Sequence, residues 1–215
     1  MTDKVKEDFQ FEGAKNAHED LGNTDEGRRI LSSEKGGAVI LDTYEREAKL
    51  KSENIRDAMT GLFNYGYLMN ELDTKTKEQD NKLALIWVDM DNLKVTNDSI
   101  GHEAGTDVVK GVARVVANKI RSNENGLAAR YGGDEFVILL PGHMNLESLK
   151  QRGEEIRKAV FEAKFRAGGA NIHQTVSIGV GLWNGVETAK QFLERVDKAM
   201  YEAKKKGRNL VIEAE

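Results

Sequence analysis

Four carboxylates in two short segments are the residues whose types and spacing could do chemistry. Asp89 and Asp91 follow the apolar run LALIWV, and Asp134 and Glu135 follow two glycines in ARYGGDEFVILLPG. Because alternate residues of a strand point to the same side, Asp89 and Asp91 are expected to point together. A carboxylate directly after so apolar a run is costly unless something compensates its charge.

The two segments predict a divalent-metal site if they lie side by side. Carboxylates held close together repel each other unless one is protonated or a cation lies between them. Oxygen ligands without cysteine or histidine favour Mg²⁺ or Mn²⁺, and Mg²⁺ commonly binds phosphate as well. Gly132 and Gly133 would leave room for a nucleotide against the backbone. The alternative is a solvated hairpin tip, with Asp89 merely capping the next turn.

Composition excludes several other kinds of protein. None of the 215 residues is cysteine, which excludes disulfides, thiolate metal sites and cysteine nucleophiles. No apolar run approaches the roughly 18 residues of a membrane helix, and the N-terminal segment lacks a signal peptide's apolar core. Acidic residues exceed basic ones only in residues 1–42, by ten to six, so nucleic acid is not an expected partner. We expect a cytoplasmic protein.

The chain divides into three predicted parts. Residues 1–39 form an acidic, polar arm whose composition is poor at building a core. Residues 40–59 carry apolar positions at three-, four- and seven-residue intervals, which predicts an amphipathic helix. That helix either packs on the domain or pairs with its copy in another chain. Residues 53–215 are expected to form the functional domain.

Periodicity within this domain predicts alternating strands and helices. Strands are expected near 83–91, 127–131, 135–140, 175–183 and 209–213. Helices are expected near 65–79, after residue 101, and near 146–165 and 187–206. The order of the core elements predicts an α+β fold, a ferredoxin-like βαββαβ sheet with helices packed on one face.

Four motifs together make residues 53–215 resemble the GGDEF family of diguanylate cyclases. They are DAMTGLFN (57–64), DMDNLKVTNDSIGHEAG (89–105), RYGGDEF (130–136) and AMYEAKKKGRN (199–209). The resemblance implies the sheet of nucleotide cyclases and polymerase palms. It also implies an enzyme that condenses two GTP molecules into cyclic di-GMP and two pyrophosphates.

The resemblance also implies a role for each matching residue. The implied metal ligands, for Mg²⁺ or Mn²⁺, are Asp89, the Met90 carbonyl, Asp134 and Glu135. The implied catalytic residues are Asp134, Glu135, Lys204 and Arg208. Binding of GTP is assigned to Asn92, Leu93, Lys94, Asn97, Thr106, Gly132, Gly133, Lys204 and Arg208.

The substrate-binding residues differ in what they would contact. Backbone N–H groups of residues 92–95 would hold the β- and γ-phosphates, which Lys204 and Arg208 would also reach. The alternative for these two side chains is a solvated helix end, where the helix dipole favours basic residues. The Asn97 amide would read guanine with one donor and one acceptor; otherwise Asn97 forms a turn. His102 is expected at a helix start or on the surface.

One departure from the family pattern concerns the choice of base. Thr106 stands where the family typically has an aspartate that accepts from the guanine edge. A hydroxyl makes a weaker and more adaptable contact than a carboxylate. Thr106 therefore raises the hypothesis of a hybrid cyclase that also makes cyclic GMP–AMP. The alternative is that GTP remains preferred, and the neighbouring Asp107 would compensate only if it shifted.

Two further departures concern regulation and the walls of the pocket. Asn123 and Gly126 occupy the positions of the family's RxxD motif, so the product-inhibition site is expected to be missing. Tyr65 stands where the motif at 57–64 is normally followed by arginine. Asn92 and Leu93 replace the aromatic pair usual after the first metal motif.

The family's reaction implies an assembly. One site holds one GTP and the product needs two, so two chains must meet with their sites facing. The segment 40–59 would dimerise or relay a signal, and residues 1–39 would suit a protein partner. The alternative of another class is a catalytically silent module that binds GTP without turnover.

Overall fold

A five-stranded sheet is the centre of the computed structural model, which describes residues 55–78, 82–120, 125–142 and 144–215. Its helices are α1 (Tyr65–Lys77), α2 (Leu93–Ile100), α3 (His102–Asn118), α4 (Leu146–Glu162) and α5 (Ala189–Lys205). Its strands are β1 (Leu83–Met90), β2 (Leu127–Gly132), β3 (Glu135–Pro141), β4 (Phe165–Ala167), β5 (Ala170–Ile172), β6 (Val176–Leu182) and β7 (Val211–Glu213).

The sheet order is β2-β3-β1-β6-β7. Only β6 and β7 pair in parallel; β1 pairs antiparallel with both β3 and β6, and β2 pairs antiparallel with β3. The βαββαβ core predicted from periodicity is confirmed. All eight residues of β1 are buried, as expected for a central strand that is apolar on both faces.

Helices cover both faces of the sheet, so the prediction that they lie on one face was wrong. Helices α3 and α4 pack on the face that carries Ile86 and Val88. Helices α1 and α5 pack on the opposite face, with Leu85 and Trp87. The physical reason is that successive side chains of β1 point to opposite faces, and both rows are apolar and must be covered.

Helix α5 lies unusually close to β6 because that strand presents glycine to it. A Cβ atom on Gly179 would lie 2.2 Å from the Val196 carbonyl oxygen and 2.6 Å from the Met200 nitrogen. Such distances are impossible without moving the backbone, so a side chain at this position would push α5 off the sheet. The close packing brings the last turn of α5 to the end of β1.

Two elements were not predicted. Helix α2 is short and has only three apolar residues, Leu93, Val95 and Ile100, so the apolar periodicity by which helices are recognised is weak in it. The β4–β5 hairpin turns through Gly168 and Gly169, whose φ angles are 56° and 79°. It covers α3, where a Cβ on Gly111 would lie 2.5 Å from Cδ1 of Phe165. In the sequence, the Gly168-Gly169 pair was the signal that could have predicted this hairpin.

Most of the predicted helix over 40–59 and the arm over 1–39 lie outside the described residues. The described end of that segment, from Ile55, forms turns and a bridge instead of helix. Asp57 explains the difference, because its carboxylate accepts from the backbone and the hydroxyl of Thr60 and so stabilises a turn. Among the helices of the described part of the chain, none is long and apolar enough to cross a membrane.

Candidate active site

The GGDEF segment is a tight hairpin at the end of the sheet. Strand β2 ends at Gly132 and β3 begins at Glu135, so Gly133 and Asp134 form the turn. Gly133 has a φ of 47°, which favours glycine, and a register shift between Arg130 and Gly132 precedes it. The Arg130 guanidinium donates to the Gly133 carbonyl at 2.6 and 3.0 Å. This bond holds the turn in one conformation.

The hairpin lies directly beside the end of β1. Asp89 pairs in register with Glu135, and the Met90 N–H donates to the Asp134 carbonyl at 3.2 Å. The expectation that strand one and the hairpin lie side by side is therefore confirmed. Residues directly opposite in an antiparallel pair have side chains on the same face, so the Asp89 and Glu135 carboxylates are neighbours.

Lys204 brings a positive charge to these carboxylates. Its Nζ lies 2.6 Å from Oδ1 of Asp89, whose side chain is only 6% exposed. Burial raises the pKa of Asp89 to about 7, and the nearby charges of Asp134 and Glu135 add to the effect while Lys204 opposes it. The single ammonium of Lys204 thus does not offset burial and the two neighbouring acids, and a further cation would stabilise the charged form of Asp89.

Glu135 has a similar environment and a neighbour that sequence reasoning missed. Burial raises its pKa, and the charges of Asp197 and Asp134 raise it further, against the opposing effect of Lys204. Asp197 lies on α5 seven residues before Lys204, hence on the same helix face. Its own pKa is raised, first by burial. The signal available in the sequence was an acid two helical turns before Lys204, a predicted site residue.

The donor set fits a hard divalent cation. Within the described ranges, no three acidic or histidine side chains converge closely enough to form a ready-made metal centre. The Lys204 ammonium nevertheless stands in for a cation on the buried Oδ1 of Asp89. The surrounding groups are carboxylate and carbonyl oxygens, the ligands that Mg²⁺ and Mn²⁺ prefer. The ligand set of Asp89, the Met90 carbonyl, Asp134 and Glu135 remains a prediction.

Asp91 has a structural role. Its carboxylate accepts hydrogen bonds from the hydroxyls of Thr175 and Ser177, both at 2.7 Å, and from the Asn209 N–H at 3.1 Å. These bonds join the end of β1 to β6 and to the segment before β7. Asp89 and Asp91 therefore have different roles: Asp89 contacts Lys204, whereas Asp91 joins these elements.

A cavity of about 370 Å³ opens beside the hairpin turn. It brings together most of the predicted base- and phosphate-binding positions, and it adds residues that sequence reasoning did not assign to the site. The predicted residues that line it are Leu93, Lys94, Asn97, Thr106, Gly133 and Asp134. The additional ones are Met59, His102, Gly105, Val109 and Arg130.

Helices α2 and α3 meet at the cavity, where Asn97 of α2 lies against Gly105 of α3. A Cβ on Gly105 would lie only 1.8 Å from the Asn97 side-chain oxygen, so the Asn97 amide packs on bare α3 backbone. Thr106 lines the same cavity one residue later. Asp107 is exposed and does not line it, so the shift that would let Asp107 compensate for Thr106 is absent.

Substituting Gly105 by alanine is expected to weaken GTP binding about tenfold while leaving the fold intact. The added methyl group would force the Asn97 amide out of its position, and losing one hydrogen bond to a base costs about 1 kcal/mol or more. Equilibrium binding of a GTP analogue measures the effect. Gly66→Ala is the matched control, because its new Cβ would lie 3.4 Å from the nearest atom. Equal affinities of Gly105→Ala and the native chain would contradict this role of Asn97.

The start of α2 offers backbone N–H groups to an anion. Asn92 has a φ of 56° and turns the chain sharply out of β1 into the helix. Val95 donates its N–H to the Asn92 carbonyl, which leaves those of Asn92, Leu93 and Lys94 as the candidates for phosphate contacts. The predicted set of phosphate-binding N–H groups, residues 92–95, therefore loses Val95.

Arg208 lies beyond the end of α5. It has a φ of 64°, its N–H donates to the Ala203 carbonyl, and its side chain is exposed. Of the two predicted basic residues, only Lys204 forms an ion pair with a carboxylate of the site within the described part of the chain. The role of Arg208 toward phosphate remains a prediction.

The turn at 57–64 is tied to the hairpin by one ion pair. The Arg130 guanidinium lies 3.2 Å from the Asp57 carboxylate, while Asp57 also holds Thr60. Tyr65, at the first position of α1, packs edge-on against Tyr131 with ring centroids 5.0 Å apart. An aromatic contact thus stands where the family has an arginine.

Comparison with known proteins decides the family. The family model described as "Diguanylate cyclase, GGDEF domain" matches residues 54–210. The chain belongs to the GGDEF family. The resemblance inferred from four sequence motifs is confirmed, and the hairpin beside β1 is the GGDEF turn.

Relatives and solved structures agree with this GGDEF domain. Diguanylate cyclase A of Treponema denticola is 38% identical over 162 residues, which cover 72% of this chain and 43% of the relative. The coiled coil and GGDEF domain of DgcB from Caulobacter crescentus, solved in complex with c-di-GMP, matches with a TM-score of 0.77 and 28% identity, over 84% of this chain and 96% of that one.

A second solved structure covers nearly the whole chain. Diguanylate cyclase SiaD of Pseudomonas aeruginosa, in complex with its activator SiaC, matches with a TM-score of 0.72 and 29% identity, over 98% of this chain and 82% of that one. The chain spans less than half the length of the curated relatives it matches first.

Proposed function

We propose that this chain is a diguanylate cyclase that condenses two GTP molecules into cyclic di-GMP and two pyrophosphates. The observation that carries the proposal is the register pairing of Asp89 with Glu135, with Lys204 held against Asp89. This cluster adjoins, through the Gly133–Asp134 turn, a cavity that holds Asn97. Relatives named diguanylate cyclases support it.

Each group in the site has a task in this reaction. Asn97 binds the guanine edge, and the N–H groups of Asn92, Leu93 and Lys94 hold phosphate oxygens. Gly133 lets the nucleotide lie against the hairpin. Lys204 and Arg208 balance the charge of the triphosphate.

The carboxylates complete the site. Asp89, Asp134 and Glu135, with the Met90 carbonyl, hold Mg²⁺ or Mn²⁺ in this proposal. When bound, the divalent cation neutralises the triphosphate and favours ionisation of the attacking 3′-hydroxyl. Asp89 is buried and Glu135 is partly buried, so little water competes with the cation for these two carboxylates.

Turnover requires two chains. One cavity accepts one GTP, and each 3′-hydroxyl must reach the α-phosphorus of the other nucleotide. We propose a homodimer whose sites face each other in antiparallel orientation, with segment 40–59 as the dimerising or relaying element. The reaction uses GTP, a cytoplasmic nucleotide, and we place it in the cytoplasm.

Two regulatory features follow from the sequence of this chain. Asn123, which lies outside the described residues, and Gly126 supply neither charge of the RxxD motif, and we infer that strong product inhibition of that type is absent. A Cβ on Gly126 would lie 2.6 Å from Leu140 Cδ2, so a larger residue would not fit there without movement. Residues 1–39 are proposed to dock a protein partner; the SiaD structure with its activator supports this.

The proposal is tested by product analysis. Incubation of the chain with GTP and Mg²⁺ is expected to yield cyclic di-GMP and pyrophosphate, separated by chromatography and identified by mass. The rate per chain should rise with protein concentration, because the active species is a dimer. Nucleotide binding without any product would favour the silent GTP-binding module instead.

A further inference from the structure

The ion pair between Lys204 and Asp89 occupies one of the two carboxylate oxygens that a metal ion could use. Lys204 Nζ lies 2.6 Å from Asp89 Oδ1, and the Lys204 side chain remains 27% exposed. Oδ1 itself is buried and has no hydrogen-bond donor other than this ammonium within the described residues. Asp89 thus has one cation, supplied by the protein.

An ammonium and a divalent cation compete for this carboxylate. Mg²⁺ binds carboxylate oxygens at about 2.1 Å, and Mn²⁺ is accommodated by similar oxygen sites. The two positive centres would then be close neighbours in a buried site, where repulsion between charges is much stronger than in water. Repulsion therefore favours movement of Lys204 away from Asp89 when the metal binds.

The Lys204 side chain has room to move away from Asp89. Its stem is long and flexible, it lies at the last turn of α5, and its side chain is partly open to solvent. Asp197, on the same face of α5, interacts electrostatically with Lys204 and remains a negative neighbour after the ion pair breaks. A bound triphosphate offers a second destination for the ammonium.

We propose that Lys204 is an internal counter-ion of the nucleotide-free site, which blocks Asp89 to metal alone and moves to the phosphates when metal and nucleotide arrive together. The inference rests on the proposed function for the identity of the nucleotide. It makes metal and nucleotide binding mutually dependent, because each removes the ion pair that opposes the other. Metal ions without nucleotide then bind weakly.

The test measures Mn²⁺ binding without nucleotide, by the electron paramagnetic resonance signal of free Mn²⁺. Lys204→Met and Lys204→Gln are expected to bind Mn²⁺ about tenfold more tightly than the native chain, a usual size for coupled sites. Lys204→Gln keeps a hydrogen-bond donor for Asp89 and so protects the fold if Lys204→Met is unstable. Asp89→Asn combined with Lys204→Gln should lose the gain.

Lys205→Met is the matched control. Lys205 is the next residue, is exposed, and pairs with Glu202 at 2.8 Å, so its removal should leave Mn²⁺ affinity unchanged. Equal or weaker Mn²⁺ binding by both Lys204 variants would overturn the inference, as would an equal gain in Lys205→Met. Because no nucleotide and no turnover are involved, this outcome is independent of whether cyclic di-GMP is formed.

Discussion

Replacing Glu135 by glutamine is expected to lower the rate of cyclic di-GMP formation by about 10³-fold or more. Glutamine keeps the size of the side chain but removes the charge that lies opposite Asp89 at the start of β3. Groups that hold metal and charge in phosphoryl transfer are typically worth factors of this order. Initial rates at saturating GTP and Mg²⁺, followed by product chromatography, measure the loss.

The control for this experiment is Asp73→Asn. Asp73 is an exposed acid on α1, so its neutralisation changes the net charge of the protein equally without touching the site. The thermal stability of Glu135→Gln should not fall, because a partly buried carboxylate surrounded by other acids is itself unfavourable. A Glu135→Gln rate within threefold of the native rate would exclude Glu135 as a metal ligand or catalytic residue.

Replacing Thr106 by aspartate is expected to raise the preference for GTP over ATP by tenfold or more. Thr106 lines the cavity beside Asn97, where a carboxylate can accept from the two donors of the guanine edge. A hydrogen bond to a charged group contributes about 1.5–3 kcal/mol, which corresponds to roughly 10- to 100-fold in selectivity. The native chain, with only a hydroxyl there, is expected to form some cyclic GMP–AMP from mixed nucleotides.

Mixed-substrate incubation with excess ATP measures this selectivity directly. Asp107→Asn is the matched control, since Asp107 is the adjacent acid on α3 and is exposed outside the cavity. If the native chain makes cyclic di-GMP alone under these conditions, the hypothesis of relaxed base choice fails. Guanine would then be selected by Asn97 and the cavity walls without Thr106.

The core of the fold was predictable because its signals are local. The short run LALIWV predicts a buried strand, and the Gly-Gly-Asp-Glu turn separates two apolar segments. Helix α2 was not predictable in this way, because it is short and mostly polar. Its position depends on contacts such as Asn97 with Gly105, which join residues from two elements.

The residues of the candidate site were likewise predictable in part: the acids could be proposed from the sequence, but their contacts could not. Residue types and spacing made Asp89, Asp134 and Glu135 candidates, since carboxylates at the end of a buried strand need compensation, and the resemblance to the GGDEF family implied them as the metal ligands. The pairing of Lys204 with Asp89 joins residues 115 positions apart, and the approach of α5 to glycine-bearing β6 creates it. By strand alternation Asp91 was as good a candidate as Asp89, and the structure distinguishes them by the three hydrogen bonds of Asp91 and the Lys204 contact of Asp89.

The sequence by itself determined the family and the order of the strands along the chain, and it named the candidate carboxylates, because these depend on residue type and short-range spacing. The tertiary structure decided which faces the helices cover, which acid contacts Lys204 and which residues line the cavity. Those choices depend on side chains that meet across the sheet, and on whether a Cβ fits between two backbones. No local pattern carries that information.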